Sequence, residues 1–213
     1  QALMPSRLDA ARIRSRLAKT RMPADPLAVD FTHLGDRMPA NVVARLRPGL
    51  RAAGILIPLI ERGRDLSVLL TERSSRLKHH AGQVSFPGGG MEAGDTDIAA
   101  TALRETHEEV GIHPAEVEVA GYLEPTATIT GYAVTSVIGF VDPGFRLQPD
   151  PTEVETLFEV PFNFFMDEGN AIYSEREFEG STFRVVSYHY EGHEIWGATA
   201  GIIVTLKRLL NEL

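Results

Sequence analysis

Apolar and polar positions alternate along this chain in blocks whose period shifts between helical and extended. Residues 6–20 set Leu8, Ala10, Ala11, Ile13 and Leu17 on one side of a helix opposite a basic face, with Ser6 as a cap. The next stretch, 21–50, holds no sustained period. Pro23, Pro26, Pro39 and Pro48 interrupt it, and it reads as a linker wrapped around the body of the protein. Residues 53–60 and 66–71 are apolar, branched runs separated by Glu-Arg-Gly-Arg-Asp, which predicts two strands and a turn. A short strand at 84–86 leads into a glycine-rich loop, 88–94. The helical period then returns: Ile98, Ala102 and Leu103 mark a buried face, Asp95 or Thr96 can cap it, and Gly111 ends it.

Beyond that helix, 117–123 and 134–141 read as strands joined by a loop that contains Pro125 and Gly131. Residues 154–160 form another strand, passing through Pro161 into a short helix whose Phe162, Phe164 and Phe165 belong to the core. Residues 171–178 and 182–190 add strands closed by Ile195 and Trp196. The last helix, 199–213, presents Ile202, Leu206, Leu209 and Leu213 on one face. Strands interleaved with helices, hairpins among them, predict an α/β fold with a mixed sheet between helices. The chain divides into a basic helix and linker arm, 1–50, and one domain, 51–213.

Composition removes several classes of function. The 213 residues include no cysteine, which excludes disulfides, thiol catalysis and cysteine-ligated zinc. No apolar run is long enough to span a bilayer, so the expected setting is cytoplasmic, without a membrane partner. The chain opens on Gln1, as a fragment or processed form would, with Met4 nearer a native start. A net charge of −8 argues against nucleic acid as a partner. That charge is uneven: between Arg7 and Arg21 six basic residues face one acid, leaving the remainder at −13. The basic segment reads as a docking helix with a solvated face, or as an arm that brings positive charge to a phosphorylated ligand or a partner subunit.

Candidate chemistry concentrates on the central helix. Glu105 lies three residues before Glu108 and four before Glu109, so all three carboxylates project from one stripe of its surface. Like charges so placed repel by about a few tenths of a kcal/mol per pair, and a hard divalent cation relieves that repulsion. A solvated helix end would carry the same residues. Two features favour a metal site: Arg104 can hold a carboxylate in place, and the upstream glycines let bare backbone approach.

Gly90, Arg104, Glu105, Glu108, Glu109, Gly111 and Ile112 fall at the spacing of the Nudix box, G-x5-E-x7-R-E-U-x-E-E-x-G-U, where U is aliphatic. The chain resembles the Nudix family in that long pattern, with two departures. Thr96 stands where the box has its first glutamate, leaving Asp95 and Asp97 as substitutes, and Thr106 stands at an aliphatic position. Residues 69–89, with Leu69, Leu70, Thr71, Arg73, Ser74, Gly82, Phe86, Pro87, Gly88 and Gly89 in matching places, resemble the extra signature of coenzyme A pyrophosphatases.

The resemblance implies an α/β/α sandwich and metal-dependent hydrolysis of a diphosphate bond, with Mg²⁺ or Mn²⁺ as cofactor and a small molecule as substrate. It implies Glu105 and Glu109 as principal metal ligands, Glu108 at a second ion or its water, and a backbone carbonyl of Gly89 or Gly90 as a further ligand. Arg104 is expected to orient the glutamates. Glu153 is the preferred general base, with Glu155 beside it and an ordinary strand-end acid as the alternative; His79 and His80 can also titrate near neutrality. Arg73, Arg76 and Lys78 supply positive charge for phosphates, alongside Gly88, Gly89 and Tyr132, while Trp196 is either a ligand contact or structural. Coenzyme A would be cleaved to 3′,5′-ADP and 4′-phosphopantetheine. The alternatives are a pyrophosphatase of another nucleoside diphosphate derivative such as ADP-ribose, or a nucleotide-binding sensor without turnover. Oligomeric state stays open.

Overall fold

The computed structural model describes residues 8–33, 38–76 and 82–212; Met4, Ser6, Lys78, His79, His80 and Leu213 lie outside them. In chain order the elements are α1 (Ala10–Leu17), α2 (Ala40–Leu46), β1 (Arg51–Arg62), β2 (Asp65–Arg73), β3 (Val84–Ser85), β4 (Gly88–Gly90), α3 (Ile98–Val110), β5 (Val117–Tyr122), β6 (Thr126–Ala127), β7 (Tyr132–Val141), β8 (Val154–Pro161), α4 (Phe162–Met166), β9 (Ile172–Phe178), β10 (Ser181–Tyr190), β11 (His193–Trp196) and α5 (Gly197–Glu212). In the larger sheet β3, β2, β1, β7 and β5 lie side by side, while β4, β8 and β6 pair with β1, β2 and β7. β1 and β7 are parallel from Arg51↔Tyr132 to Ile60↔Val141, and β1 is antiparallel to β2 and β4. The sheet is mixed, as the interleaved pattern predicts.

Both faces of that sheet are covered, which is why β1 reads as a nearly unbroken apolar run. Ile57, Leu59, Val68, Leu70, Ile138 and Phe140 join α1, α4 and α5 in one cluster. On the opposite face Leu56 and Val137 pack on Ala102 of α3, and Ile60, Leu69 and Val141 meet Val110 and Ile112 at its end. Successive side chains along each strand therefore serve opposite layers, giving an α/β/α sandwich.

The arm is part of this packing. Ile13 and Leu17 are fully buried, and Arg14 lies 3.7 Å over the Phe140 ring while bridging Glu61 and Glu118. That is the docking reading of the basic helix. The helix is shorter than the expected 6–20 and starts after Asp9, whose carboxylate accepts from the Arg12 amide at 2.8 Å. Ala11, expected on the apolar side, is exposed.

The linker reading of 21–50 is also corrected, because residues 40–46 form α2. Val42 and Leu46 sit one turn apart and pack with Met38 as a separate small cluster, a period that the surrounding prolines obscure. β9, β10 and β11 form a second, three-stranded sheet. On α5 the buried apolar positions are Ala200, Ile202, Ile203, Leu206 and Leu210, with Leu209 only partly covered. α5 is tied to the larger sheet by the Thr199 hydroxyl, which donates to the Val84 carbonyl at 3.0 Å.

Candidate active site

The glycine-rich loop begins as a strand. β4 pairs with β1 in the register Ala53↔Gly90, Gly54↔Gly89, Ile55↔Gly88. A Cβ on Gly89 would stand 2.5 Å from the Glu105 carboxyl carbon, and one on Gly54 would stand 2.7 Å from the Ile98 carbonyl oxygen. Two paired glycines thus bring bare backbone against α3. Gly54 escaped the motif reading, although a lone glycine inside an apolar strand is itself a signal of close backbone approach.

Asp97, rather than Asp95 or Thr96, caps α3, accepting from the Ala100 amide at 2.8 Å. At the other end Gly111 is left-handed at φ +84°, and a Cβ there would lie 2.7 Å from the Gln148 amide nitrogen, so the stop also serves packing. Thr106, the second departure from the box, is buried and donates to the Ala102 carbonyl at 2.7 Å; its hydroxyl is satisfied within the helix.

Asp95 has a different task. It accepts a two-pronged bond from Arg104, Nε to Oδ1 at 2.8 Å and Nη2 to Oδ2 at 3.0 Å, besides bonds from the Glu92 amide and the Thr101 hydroxyl. Those donors hold its carboxyl well below the usual range. Arg104 also donates to Glu105 and Glu108, each at 3.1 Å, and to the Gly90 carbonyl at 3.1 Å. All five of its N–H groups are engaged. Asp95 and Asp97 therefore do not replace the missing box glutamate; one anchors Arg104 and the other caps the helix.

The carboxylates differ in environment. Glu108 is exposed, whereas Glu109 is buried and accepts from the Gly88 amide at 3.3 Å. Burial pushes the Glu109 carboxyl up to about 8; the Gly88 bond and the Arg73 charge oppose this, while Glu153 and Glu105 add to it. Burial likewise raises Glu105, against its bond to Arg104. Glu153, from a different part of the chain, thus acts on both glutamates. The segment before β8 brings it there. The amides of Gln148 and Asp150 bond the carbonyls of Val110 and Glu109 at the end of α3, and the Ser74 amide bonds the Glu153 carbonyl at 2.8 Å. Glu155 is turned away, accepting from the Ser75 amide at 3.0 Å.

Of the expected phosphate contacts, Arg73 lies close enough to Glu109 to influence its charge, and its Nε is buried without a hydrogen-bond partner. Arg76 is exposed and acts on Glu155. Tyr132 borders the glycine strand, its Cε1 3.9 Å from where a Cβ on Gly90 would stand. Trp196 sits on β11 with Arg176 5.1 Å over its ring. Among the described residues no three acidic or imidazole side chains stand together as a finished cation cage. The reason is visible: Glu105 and Glu108 are drawn onto Arg104, and Glu109 onto Gly88. The donor set still suits a hard divalent cation, since carboxylates and glycine carbonyls offer oxygen, and Arg104 and Arg73 offset only part of the charge that gathers at Glu105, Glu109 and Glu153.

Comparison with known proteins agrees with this architecture. A NUDIX domain family model matches residues 50–177. The uncharacterized Nudix hydrolase NudL of Citrobacter koseri is 42% identical over 153 residues, covering 72% of this chain and 79% of that protein. Its counterpart in Photorhabdus laumondii is 43% identical over 159 residues, 75% and 84% of the two chains. Among solved structures, a Nudix hydrolase from M. smegmatis, RenU, aligns with a TM-score of 0.46 at 23% identity over 55% of this chain and 73% of that one. A C. elegans Ap4A hydrolase aligns at 0.43 and 20% identity, over 52% and 80%. Nudix hydrolases cleave pyrophosphate bonds and in general use divalent metal ions. By its box, its relatives and the family match, this chain belongs to the Nudix hydrolases.

Proposed function

We propose that this Nudix hydrolase cleaves the diphosphate of coenzyme A or its derivatives, releasing 3′,5′-ADP and 4′-phosphopantetheine. The observation that carries this reading is the place of the stretch resembling the coenzyme A branch. Its Arg73 faces Glu109, its Ser74 amide holds Glu153, and its last glycines, Gly88 and Gly89, are bonded to Glu109 and pressed against Glu105. The described residues of the stretch that resembles that branch line the glutamate cluster.

Glu105 and Glu109 would hold the principal Mg²⁺ or Mn²⁺ with the Gly89 carbonyl, and Glu108 a second ion or its water. When bound, such ions neutralise the diphosphate and acidify a water. Arg104 keeps the glutamates aimed, because its own anchors, Asp95 and Gly90, do not depend on them. Arg73 lends positive charge beside Glu109 to the phosphate oxygens, and Glu153 takes the proton of the attacking water. That water adds to one phosphorus, the bridging P–O bond breaks, and two phosphomonoesters leave. The test is product analysis with coenzyme A, 3′-dephospho-coenzyme A and ADP-ribose, each with Mg²⁺, Mn²⁺ or a chelator. Metal-dependent release of 3′,5′-ADP with coenzyme A preferred is the expected result; a preference for ADP-ribose would overturn the substrate assignment.

A further inference from the structure

Met91 follows the glycine strand directly and keeps its ladder: its amide donates to the Ala52 carbonyl at 2.9 Å, next to the pair Ala53↔Gly90. The two faces of that ladder are marked by what its glycines touch. A Cβ on Gly89 would meet the Glu105 carboxylate, while one on Gly90 would point the other way, toward Tyr132, whose ring packs with the layer of α1, α4 and α5. Strand alternation therefore returns Met91 to the face of Gly89 and Glu105, two residues along at roughly 3.3 Å each. The peptide before it is held as well, since Arg104, itself bonded to Glu105 and Glu108, donates to the Gly90 carbonyl at 3.1 Å. Its cross-strand neighbour is the small Ala52, and Met91 is 37% exposed, outside the apolar clusters of the described residues. A lone exposed methionine on an open surface needs no explanation. One fixed beside carboxylates and Arg104 serves neither core nor charge, and its unbranched, polarizable thioether moulds to apolar groups of irregular shape.

We infer that Met91 is a specificity-determining residue that packs against an alkyl group carried on one phosphate of the substrate, and so favours an alkyl over a sugar at that end. On the coenzyme A reading, on which this rests, the group is the pantoyl end of pantetheine, whose dimethyl carbon is two bonds from the ester oxygen of the diphosphate. The adenine stands on the other side of the diphosphate, a whole ribose away.

The test compares 3′-dephospho-coenzyme A with ADP-ribose, which share adenosine diphosphate and differ only in the group beyond it, pantetheine in one and ribose in the other. Met91→Gln, at an exposed position, should lose roughly fivefold to thirtyfold in kcat/KM for coenzyme A and its 3′-dephospho form alike, the scale of one or two methyl groups losing apolar contact. ADP-ribose, followed as substrate or as competitive inhibitor, should change by less than about twofold. Met91→Leu, which keeps the apolar surface, should retain most of the wild-type rate. Calorimetry on the products in Mg²⁺ gives a second readout: Met91→Gln binds 4′-phosphopantetheine more weakly than wild type does, and 3′,5′-ADP equally well. Equal losses on all three substrates, no loss on any, or weakened 3′,5′-ADP with 4′-phosphopantetheine unchanged overturn the role of Met91 and leave the coenzyme A reading standing. A wild-type enzyme that prefers ADP-ribose overturns that reading, and this inference with it.

Discussion

Glu109 combines burial with the role proposed for a metal ligand, and the two have separable signatures. Glu109→Gln should keep the fold, since the amide fills the same volume, yet remove most turnover; metal-dependent product release measured beside circular dichroism checks both. Its titration gives a second expectation. In metal-free protein the carboxyl is pushed up to about 8 from an ordinary 4.5, so between those values the folded state holds a proton that the unfolded chain has released. The stability this contributes is complete below the ordinary value and is lost as pH rises through about 8. Thermal unfolding in chelator between pH 5 and pH 9 should show that fall, and Glu109→Gln should flatten it. At this scale the box glutamates and Arg104 were legible because helical spacing alone puts them on one stripe. The fate of Asp95 was not, because its partner Arg104 lies nine residues away and only the folded turn joins them.

Among the elements, β1 and α3 decide how closely the glycine strand approaches the glutamates. Gly54→Ala would set a methyl 2.7 Å from the Ile98 carbonyl and 3.1 Å from the Ala102 amide, both backbone atoms that cannot swing aside. Such overpacking costs about 1 to 3 kcal/mol. A lower unfolding midpoint with kcat reduced in the properly folded fraction is the expected result; an unchanged kcat would show that the spacing of strand and helix does not govern the site. The hairpin of β1 and β2, the strand β8 and the helix α4 were readable from runs of branched residues and the breaker Pro161. β4 and β6 were not, since three glycines and a two-residue bridge carry no hydrophobic period. α2 was hidden for the opposite reason, as its period is sound but prolines surround it.

Over the whole molecule, the arm and the catalytic layer lie on opposite faces of one sheet. Leu17 is fully buried against that sheet, and its Cβ lies 2.8 Å from where a Cβ on Gly121 would stand. Leu17→Ala should destabilise the protein by about 2 to 5 kcal/mol, read as a lower denaturant midpoint, while KM for any diphosphate substrate stays near its wild-type value. The two layers were foreseeable from strands apolar on both faces. The convergence of Glu153 on Glu105 and Glu109 was not, because it depends on the 148–153 segment closing the end of α3. That convergence reaches beyond catalysis. Arg104 and Arg73 offset only part of the push that Glu153 adds to Glu105 and Glu109, so a divalent cation settling among them should displace protons, read as acidification of a weakly buffered solution when metal is added.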